Sequence, residues 1–173
     1  VPLLLDADAL TVLAGDLAAL KGRPERPVVI TPHPGEMARL LGTSAVDVQG
    51  RRLAAATDFA AAHGVHVILK GHRTLIAAPD GRVFINATGN SGMATGGTGD
   101  ILTGMIGAWL AQGLDPTQAA ALAVYLHGAA GDLAADDVGE VAMTAEDVLP
   151  QLGDAVLELT ARERRRRAQP PVA

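Results

Sequence analysis

Three short apolar segments recur along the chain, separated by stretches with helical character. They are PLLLD (2–6), PVVIT (27–31) and VHVILK (65–70). Continuous apolar runs of this length are typical of strands that are buried on both faces of a parallel sheet. Because these strands alternate with helices, the sequence predicts an α/β fold in which helices cover both faces of a mostly parallel sheet.

Capping and turn residues predict the helices and one hairpin. A helix is expected to begin at Pro34 and end at Gly42, and the stretch TLIAAPDGRVFIN is expected to form a hairpin that turns at residues 79–81. Further helices are predicted over residues 44–63, 100–112, 116–134 and 144–161.

Composition restricts the class of protein. Hydrophobic residues make up 49% of the 173 residues and aromatic residues only 2%, so the core must consist mainly of Ala, Leu, Val and Ile. No apolar run approaches the roughly 20 residues of a membrane-spanning helix, and the absence of cysteine leaves no disulfide or thiolate metal site. We therefore expect one domain in a cytoplasmic protein without a membrane partner.

The net charge of −5 is unevenly distributed along the chain. Five of the 14 basic residues lie within residues 161–173, although only one of the 19 acidic residues does. We expect residues 1–160 to form the domain and residues 161–173 to form a basic, disordered tail. Because the remaining body is acidic and lacks an aromatic stacking platform, we expect no nucleic-acid partner.

The stretch ATGGTGDILTG (94–104) places glycines directly before a predicted helix, and five glycines fall within residues 89–99. Glycine permits positive φ angles and close backbone approach, so successive amides and the helix N-terminus can form an anion-binding concavity. The spacing matches neither GxxxxGK[ST] nor GxGxxG. A phosphate-binding loop and a tight loop that caps a helix both stay open as interpretations.

Asp100 lies at the start of that predicted helix. An aspartate in this place is most often an N-cap. Beside a bound polyphosphate, however, a carboxylate is unfavourable unless it acts chemically, for example by accepting the proton of a hydroxyl that attacks the phosphate. The combination of glycines and acid favours the second role for Asp100.

Polar residues follow each predicted strand, where ligands of parallel sheets bind. Lys70 is either a phosphate-binding cation or an ordinary lysine at a strand end. Glu36 either holds Mg²⁺ through water or interacts with the helix dipole, and His33, between two prolines, is either a site residue or a surface residue. The other histidines have irregular spacing and no zinc signature; they are His63, His66, His72 and His127.

Four linked stretches resemble the ADP/ATP-dependent NAD(P)H-hydrate dehydratases of the ribokinase-like superfamily. They are DADAL (6–10), TPHPGEMARLLG (31–42), VILKGHRTLIAAPDGRVFIN (67–86) and GNSGMATGGTGDILTGMIGAWLAQG (89–113). The resemblance implies a three-layer α/β/α sandwich. It also implies that the N-terminal part of the domain is missing before Val1, so that the chain would be the C-terminal two-thirds of it.

This resemblance implies a lyase that repairs hydrated nicotinamide nucleotides. The S epimer of NADHX or NADPHX would be phosphorylated on its added hydroxyl with ADP or ATP, and elimination of phosphate would restore NADH or NADPH. The chemistry is reasonable because hydroxide is a poor leaving group and phosphate is a good one. An NAD(P)HX epimerase, fused or separate, and further copies of the same chain in a homo-oligomer are the implied partners.

The roles of the family's site residues transfer to matching positions. Asp100 would contact the hydroxyl of the hydrate and act as the base, His33 would bind the hydrated dinucleotide, and Glu36 would hold Mg²⁺. The implied nucleotide-binding residues are Lys70, Gly71, His72, Arg73, Thr74, Gly97 and Gly99. Sugar and vitamin kinases of the superfamily usually carry Asn at the position of His33, which favours a dehydratase here.

Two other functions remain consistent with these residues. A small-molecule kinase of the same superfamily, acting on a vitamin precursor or a sugar, would use the same loop and base but leave the phosphoester in place. A non-catalytic nucleotide-binding fragment would bind the nucleotide without turnover.

Overall fold

A mixed sheet and seven α-helices make up residues 1–168, which are the residues that the computed structural model describes. The strands are β1 (Leu3–Leu5), β2 (Val28–Ile30), β3 (His66–Leu69), β4 (Leu75–Ala77) and β5 (Val83–Ile85). The helices are α1 (Asp8–Leu13), α2 (Pro34–Leu41), α3 (Ala45–Gly50), α4 (Arg52–His63), α5 (Thr98–Ala111), α6 (Pro116–Val138) and α7 (Ala145–Ala168). Short 3₁₀ helices occupy Leu17–Leu20 and Ser91–Met93.

The chain is organised into two compact units. The first combines Val1–Ala87 with Leu102–Val124, and it contains the whole sheet. The second combines Thr88–Ile101 with the described residues from Tyr125 onward.

The sheet of the first unit has the strand order β1-β2-β3-β4-β5. The β1–β2 and β2–β3 pairs are parallel, whereas the β3–β4 and β4–β5 pairs are antiparallel. The predicted hairpin is therefore confirmed as β4 and β5. The sheet is mixed because a tight turn such as that at residues 79–81 can only join strands that run in opposite directions.

Helices cover both faces of this sheet, as predicted. Successive side chains of a strand point to opposite faces, so Val28 and Ile30 pack on one face and Val29 on the other. The first face is covered by apolar residues of α1 to α4, among them Leu10, Met37, Val48 and Phe59. The second face is covered by residues of α5 and α6, namely Leu102, Ile106, Ala120, Ala123 and Val124. The predicted three-layer α/β/α arrangement is thereby confirmed in the first unit.

Three helices differ from their predicted bounds by more than two residues, and one of them is α6, which continues past residue 134 to Val138. The helix predicted over 44–63 is interrupted at Arg51, after Gly50 has ended α3. The last helix continues beyond residue 161 to Ala168, where Glu163 accepts hydrogen bonds from Arg166 and Arg167 at the i+3 and i+4 positions. The first part of the predicted disordered tail is therefore helical, and residues 169–173 lie outside the described residues.

The α-helices of residues 1–168 are six to 24 residues long. None of them combines the length and the apolar character that crossing a membrane requires.

Candidate active site

The ends of β1 and β3 in the first unit bring Asp6 and Lys70 into contact. Lys70 Nζ lies 2.8 Å from Asp6 Oδ1, and the hydroxyl of Thr103 donates to Asp6 Oδ2 at 2.7 Å. Burial raises the pKa of Asp6, but hydrogen bonds from Lys70, Thr103 and Thr31 and the charge of Lys70 outweigh burial, so the pKa lies below its usual value. The carboxylate of Asp6 is therefore ionised and holds the ammonium at the sheet edge where the site was predicted.

His33 and Glu36 form a reciprocal cap at the start of α2. The Nδ1 atom of His33 accepts from the backbone amides of Gly35 and Glu36 at 3.0 and 3.3 Å, and Glu36 Oε2 accepts from the His33 amide at 2.7 Å. Because Nδ1 is an acceptor, the neutral ring carries its proton on Nε2, which lies 3.4 Å from Glu36 Oε1. The side chain of His33 is half exposed, so a ring of fixed tautomer faces solvent.

The cap restricts which residues can occupy positions 34 and 35, between His33 and Glu36. A side chain on Gly35 would place its Cβ 2.9 Å from Cε1 of His33, and Pro34 occupies the first helical position, where its missing amide hydrogen is harmless. The stretch HPGE is therefore a compact way to fix both a histidine and a buried glutamate.

Lys70 and Glu36 connect the two parts of this first-unit site. The ammonium lies 3.9 Å from Glu36 Oε2, so it is placed between two carboxylates that have little exposure to solvent. Carboxylate oxygens suit Mg²⁺, but the described residues contain no group of three or more His, Cys, Asp or Glu that could hold a metal ion. Magnesium at Glu36 would therefore need phosphate oxygens and water as its other ligands, which fits the predicted water-mediated role.

The predicted nucleotide-binding residues 70–74 form a tight turn between β3 and β4. Gly71 has a φ angle of 125° and Arg73 one of 54°, and the hydroxyl of Thr74 donates to the carbonyl oxygen of Gly71 at 3.0 Å. Positive φ is uncommon for a residue other than glycine, so Arg73 is held in this conformation by the turn. Gly71, His72 and Arg73 are exposed.

Arg52 holds this turn in place, although it is not among the residues predicted for the site. Its guanidinium donates to the carbonyl oxygens of Leu69 at 3.0 Å and Lys70 at 3.3 Å. Burial lowers the pKa of Arg52, and no carboxylate in the described part of the chain forms an ion pair with it. A Cβ on Gly71 would lie 3.1 Å from Nη1 of Arg52, so the glycine also makes room for the guanidinium.

The second unit contains residues 88–99, which we call the glycine loop, and Asp100. Gly97 has a φ angle of 92°, and the hydroxyl of Thr98 donates to the carbonyl oxygens of Met93 and Thr95 at 2.9 and 3.0 Å. Asp100 is the third residue of α5, and its amide donates to the carbonyl oxygen of Gly97 at 3.1 Å. Asp100 therefore does not occupy the N-cap position, which directly precedes Thr98.

The carboxylate of Asp100 is available to a ligand. Its side chain is exposed, and within residues 1–168 it makes no hydrogen bond or ion pair. It lies in the first turn of a helix of 14 residues, where the N-terminus favours negative charge. The second unit thus contains a glycine-rich segment before a helix N-terminus and an exposed carboxylate, and the first unit contains a lysine, a histidine and a buried glutamate. The site roles predicted for these residues stay predictions.

The amino-acid sequence of the chain matches a known family and is similar to several known enzymes. A family model described as NAD(P)H-hydrate dehydratase matches residues 1–152. A bifunctional NAD(P)H-hydrate repair enzyme of Moorella thermoacetica is 56% identical over 149 residues, which are 86% of this chain and 28% of that enzyme. An ADP-dependent (S)-NAD(P)H-hydrate dehydratase of Neisseria meningitidis is 44% identical over 151 residues, which are 86% of this chain and 51% of the relative.

Solved structures give the same picture. The ADP/ATP-dependent NAD(P)H-hydrate dehydratase of Bacillus subtilis, co-crystallised with ATP and Mg²⁺, superposes with a TM-score of 0.81 at 40% identity. The match covers 91% of this chain and 55% of that one. The chain therefore spans about half the length of its single-function relatives, a smaller share than the two-thirds expected from the motifs.

Proposed function

Because this chain belongs to the NAD(P)H-hydrate dehydratase family, we propose that it dehydrates the S epimers of NADHX and NADPHX to NADH and NADPH, with ADP or ATP as the second substrate. The single observation that carries the proposal is Asp100, an exposed carboxylate without a partner in the described chain, placed just after the glycine loop. A capping aspartate would use its oxygens on its own helix, whereas a base must keep them free.

In the proposed reaction Asp100 accepts the proton of the added hydroxyl while the hydroxyl oxygen attacks the terminal phosphorus of the nucleotide. The new P–O bond forms as the bond to the leaving nucleotide oxygen breaks. The C–O bond then breaks, phosphate leaves with the bonding electrons, and the neighbouring ring carbon loses a proton as the double bond returns. The products are the reduced nicotinamide nucleotide, phosphate and the shortened nucleotide.

The residues of the first unit supply binding in this proposal. Lys70 and the exposed turn through Thr74 bind the phosphates of the nucleotide, and His33 presents its ring to the hydrated dinucleotide. Glu36 holds Mg²⁺ through water, and Gly97 and Gly99 let the loop backbone approach the nucleotide. Magnesium, when bound, would neutralise phosphate charge and orient the phosphate oxygens.

We propose the same partners and domain limits that the sequence predicts. An NAD(P)HX epimerase supplies the S epimer, which the word bifunctional in the names of several relatives supports. The protein acts in the cytoplasm as a homo-oligomer, and residues 1–160 form its dehydratase domain.

An assay of nicotinamide recovery tests the proposal. The protein encoded by the complete reading frame that contains these residues is mixed with NADPHX and either ADP or ATP, and the absorbance of reduced nicotinamide is recorded together with released phosphate. We expect both signals to rise in equal amounts with at least one nucleotide. No recovery with either nucleotide would contradict the proposal.

The same assay separates the alternatives. A small-molecule kinase would leave a stable phosphorylated product without a rise in reduced nicotinamide. A non-catalytic binding fragment would be stabilised against heat by the nucleotide and would show no turnover.

A further inference from the structure

Two glycines lie in the interior of α6, in the stretch YLHGAAGD (125–132). A glycine in a helix interior costs about 0.5–1 kcal/mol relative to alanine. The two residues between these glycines are alanines, as are other residues of α6, so the glycines at 128 and 131 call for a physical reason.

Both glycines are places where the glycine loop touches the helix backbone. A Cβ on Gly128 would overlap the hydroxyl of Thr88 and lie 2.7 Å from its carbonyl carbon. A Cβ on Gly131 would overlap the sulfur of Met93 and lie 2.8 Å from its Cε. By contrast, a Cβ on Gly153 in α7 would have no neighbour within 4 Å. The glycines of α6 therefore admit the loop, whereas Gly153 has no such function.

Hydrogen bonds from the loop end on the same segment of α6. The amide of Gly89 donates to Asp132 Oδ2 at 2.9 Å, and Asn90 Nδ2 donates to Asp132 Oδ1 at 3.1 Å. Asn90 Nδ2 also donates to the carbonyl oxygen of Gly131 at 2.8 Å, and the hydroxyl of Thr88 donates to the backbone carbonyl oxygen of Tyr125 at 2.9 Å. Three successive loop residues are thus fixed to one face of one helix.

The carboxylate of Asp132 is suited to this role because both of its oxygens face donors. An asparagine in its place would have to point an NH₂ group at either the Gly89 amide or the Asn90 side chain, and one of the two bonds would be lost. Since Gly89 has a φ angle of 96°, its amide is aimed at Asp132 by a backbone conformation that other residues rarely adopt.

From these contacts we infer that residues 125–132 form a platform that fixes the shape of the glycine loop, and that Asp132 is a positioning residue for nucleotide binding. The inference rests on the proposed function, because it assigns the loop to the phosphates of the nucleotide. Asp132 acts through Gly89 and Asn90, which use both of its oxygens, and not by touching the substrate.

Asp132→Asn tests the inference, with Asp136→Asn as the matched control. Asp136 lies on the same helix and is exposed, and its side chain makes no hydrogen bond or ion pair within the described residues, so its substitution changes the same charge alone. The measurements are the Kd for ADP and for ATP by calorimetry, the hydrogen exchange of amides 88–99, and thermal unfolding. We expect Asp132→Asn to raise the Kd about tenfold and to speed exchange in the loop, while Asp136→Asn changes neither.

Asn90→Asp provides a second variant that keeps the size of the side chain and its acceptor for the Gly92 amide but removes the donor to Asp132 and to the Gly131 carbonyl oxygen. It should shift loop exchange and Kd in the same direction, by at least as much, because it also brings two carboxylates together. If Asp132→Asn fails to fold, this variant decides the question.

The outcomes distinguish this inference from the proposed function. A purely structural role would lower the unfolding temperature and leave the Kd of the folded protein unchanged, and that result would overturn the inference. Loop exchange equal to that of Asp136→Asn would also overturn it, even if the unsubstituted protein recovers NADPH. If the unsubstituted protein binds no nucleotide, the proposed function fails, and the assignment of Asp132 to nucleotide binding fails with it.

Discussion

Two segments predicted to bind the nucleotide are held in place by different means. The turn at residues 70–74 is fixed by charged side chains, since Arg52 bonds to the carbonyl oxygens before it and Asp6 pairs with Lys70. The glycine loop packs closely against α6, where Gly128 and Gly131 have no side chain that would push it away. It is also held by the Asp132 carboxylate, which accepts hydrogen bonds from the Gly89 amide and the Asn90 side chain. The comparison teaches that a phosphate-binding segment can be supported by strong donors or by close backbone contact, and that the two supports should fail under different conditions.

Acidification should have the largest effect on the free energy of unfolding, and it should act through the residues around the glycine loop before those around the turn at 70–74. Burial lowers the pKa of His127, beside the loop residue Thr98, to about 4, and the backbone of Thr98 opposes that shift only in part. Between the ordinary pKa of 6.5 and about 4, the unfolded chain binds a proton at His127 that the folded chain does not. Stability is therefore lost as the pH falls through this window, by about 3 kcal/mol in full.

Urea unfolding at several pH values checks this expectation, with His127→Gln as the comparison. The variant should lose less stability on acidification than the unsubstituted protein, although His66, whose pKa is also lowered by burial, acts in the same direction in both. The Asp6–Lys70 pair behaves differently, because the lowered pKa of Asp6 preserves its contribution until the pH falls below the ordinary value of 3.8. Equal pH dependence of the two proteins would refute the role given to His127.

Gly128→Ala tests the close contact between the glycine loop and α6 in the second unit. The added methyl group would meet the backbone of Thr88, which cannot move without moving the loop, so we expect a loss of about 2 kcal/mol in the free energy of unfolding. Gly153→Ala is the matched control, since it has open space and should stabilise the protein by about 0.5–1 kcal/mol. If both variants were stabilised in urea unfolding, the loop would not rest on α6 as described.

The hydrogen bonds of Arg52 to the backbone before the turn at 70–74 form a clamp, and Arg52→Lys tests how much this clamp stabilises the protein. We expect the smallest of the three stability effects here. A lysine keeps the charge but cannot bond to the carbonyl oxygens of Leu69 and Lys70 with a fixed fork, so we expect a loss of about 1 kcal/mol. Arg51→Lys is the control, because Arg51 is exposed and its side chain makes no hydrogen bond or ion pair with the described residues. Equal unfolding free energies for the two variants would show that the clamp does not stabilise the turn.

Much of the fold could be predicted because its signals are local. The apolar runs identify β1, β2 and β3, and the residues at 79–81 identify the hairpin, since turn chemistry acts over a few residues. Pro34 and Gly42 bracket α2 for the same reason, and Gly42 has the left-handed conformation that ends helices. Helix α1 escaped prediction because it has only six residues, too few to show a helical repeat of apolar positions.

The supports of the site could not be predicted because they join residues that are distant in sequence. Arg52 reaches the carbonyl oxygen of Lys70 across 18 positions, and Asp132 reaches Asn90 across 42. The interior glycines of α6 can be seen in the sequence and could indicate close packing. Gly153 also lies inside a helix, however, and a Cβ at that position would have no neighbour within 4 Å. Only the packing distinguishes the two kinds of glycine.

The central claim is that Asp100 is the base, and Asp100→Asn tests it most directly. Turnover of NADPHX and the Kd for ADP and ATP are measured on the variant and on the unsubstituted protein. The account predicts that NADPH formation falls about a thousandfold while nucleotide affinity is retained. NADPH formation at the unsubstituted rate would contradict it.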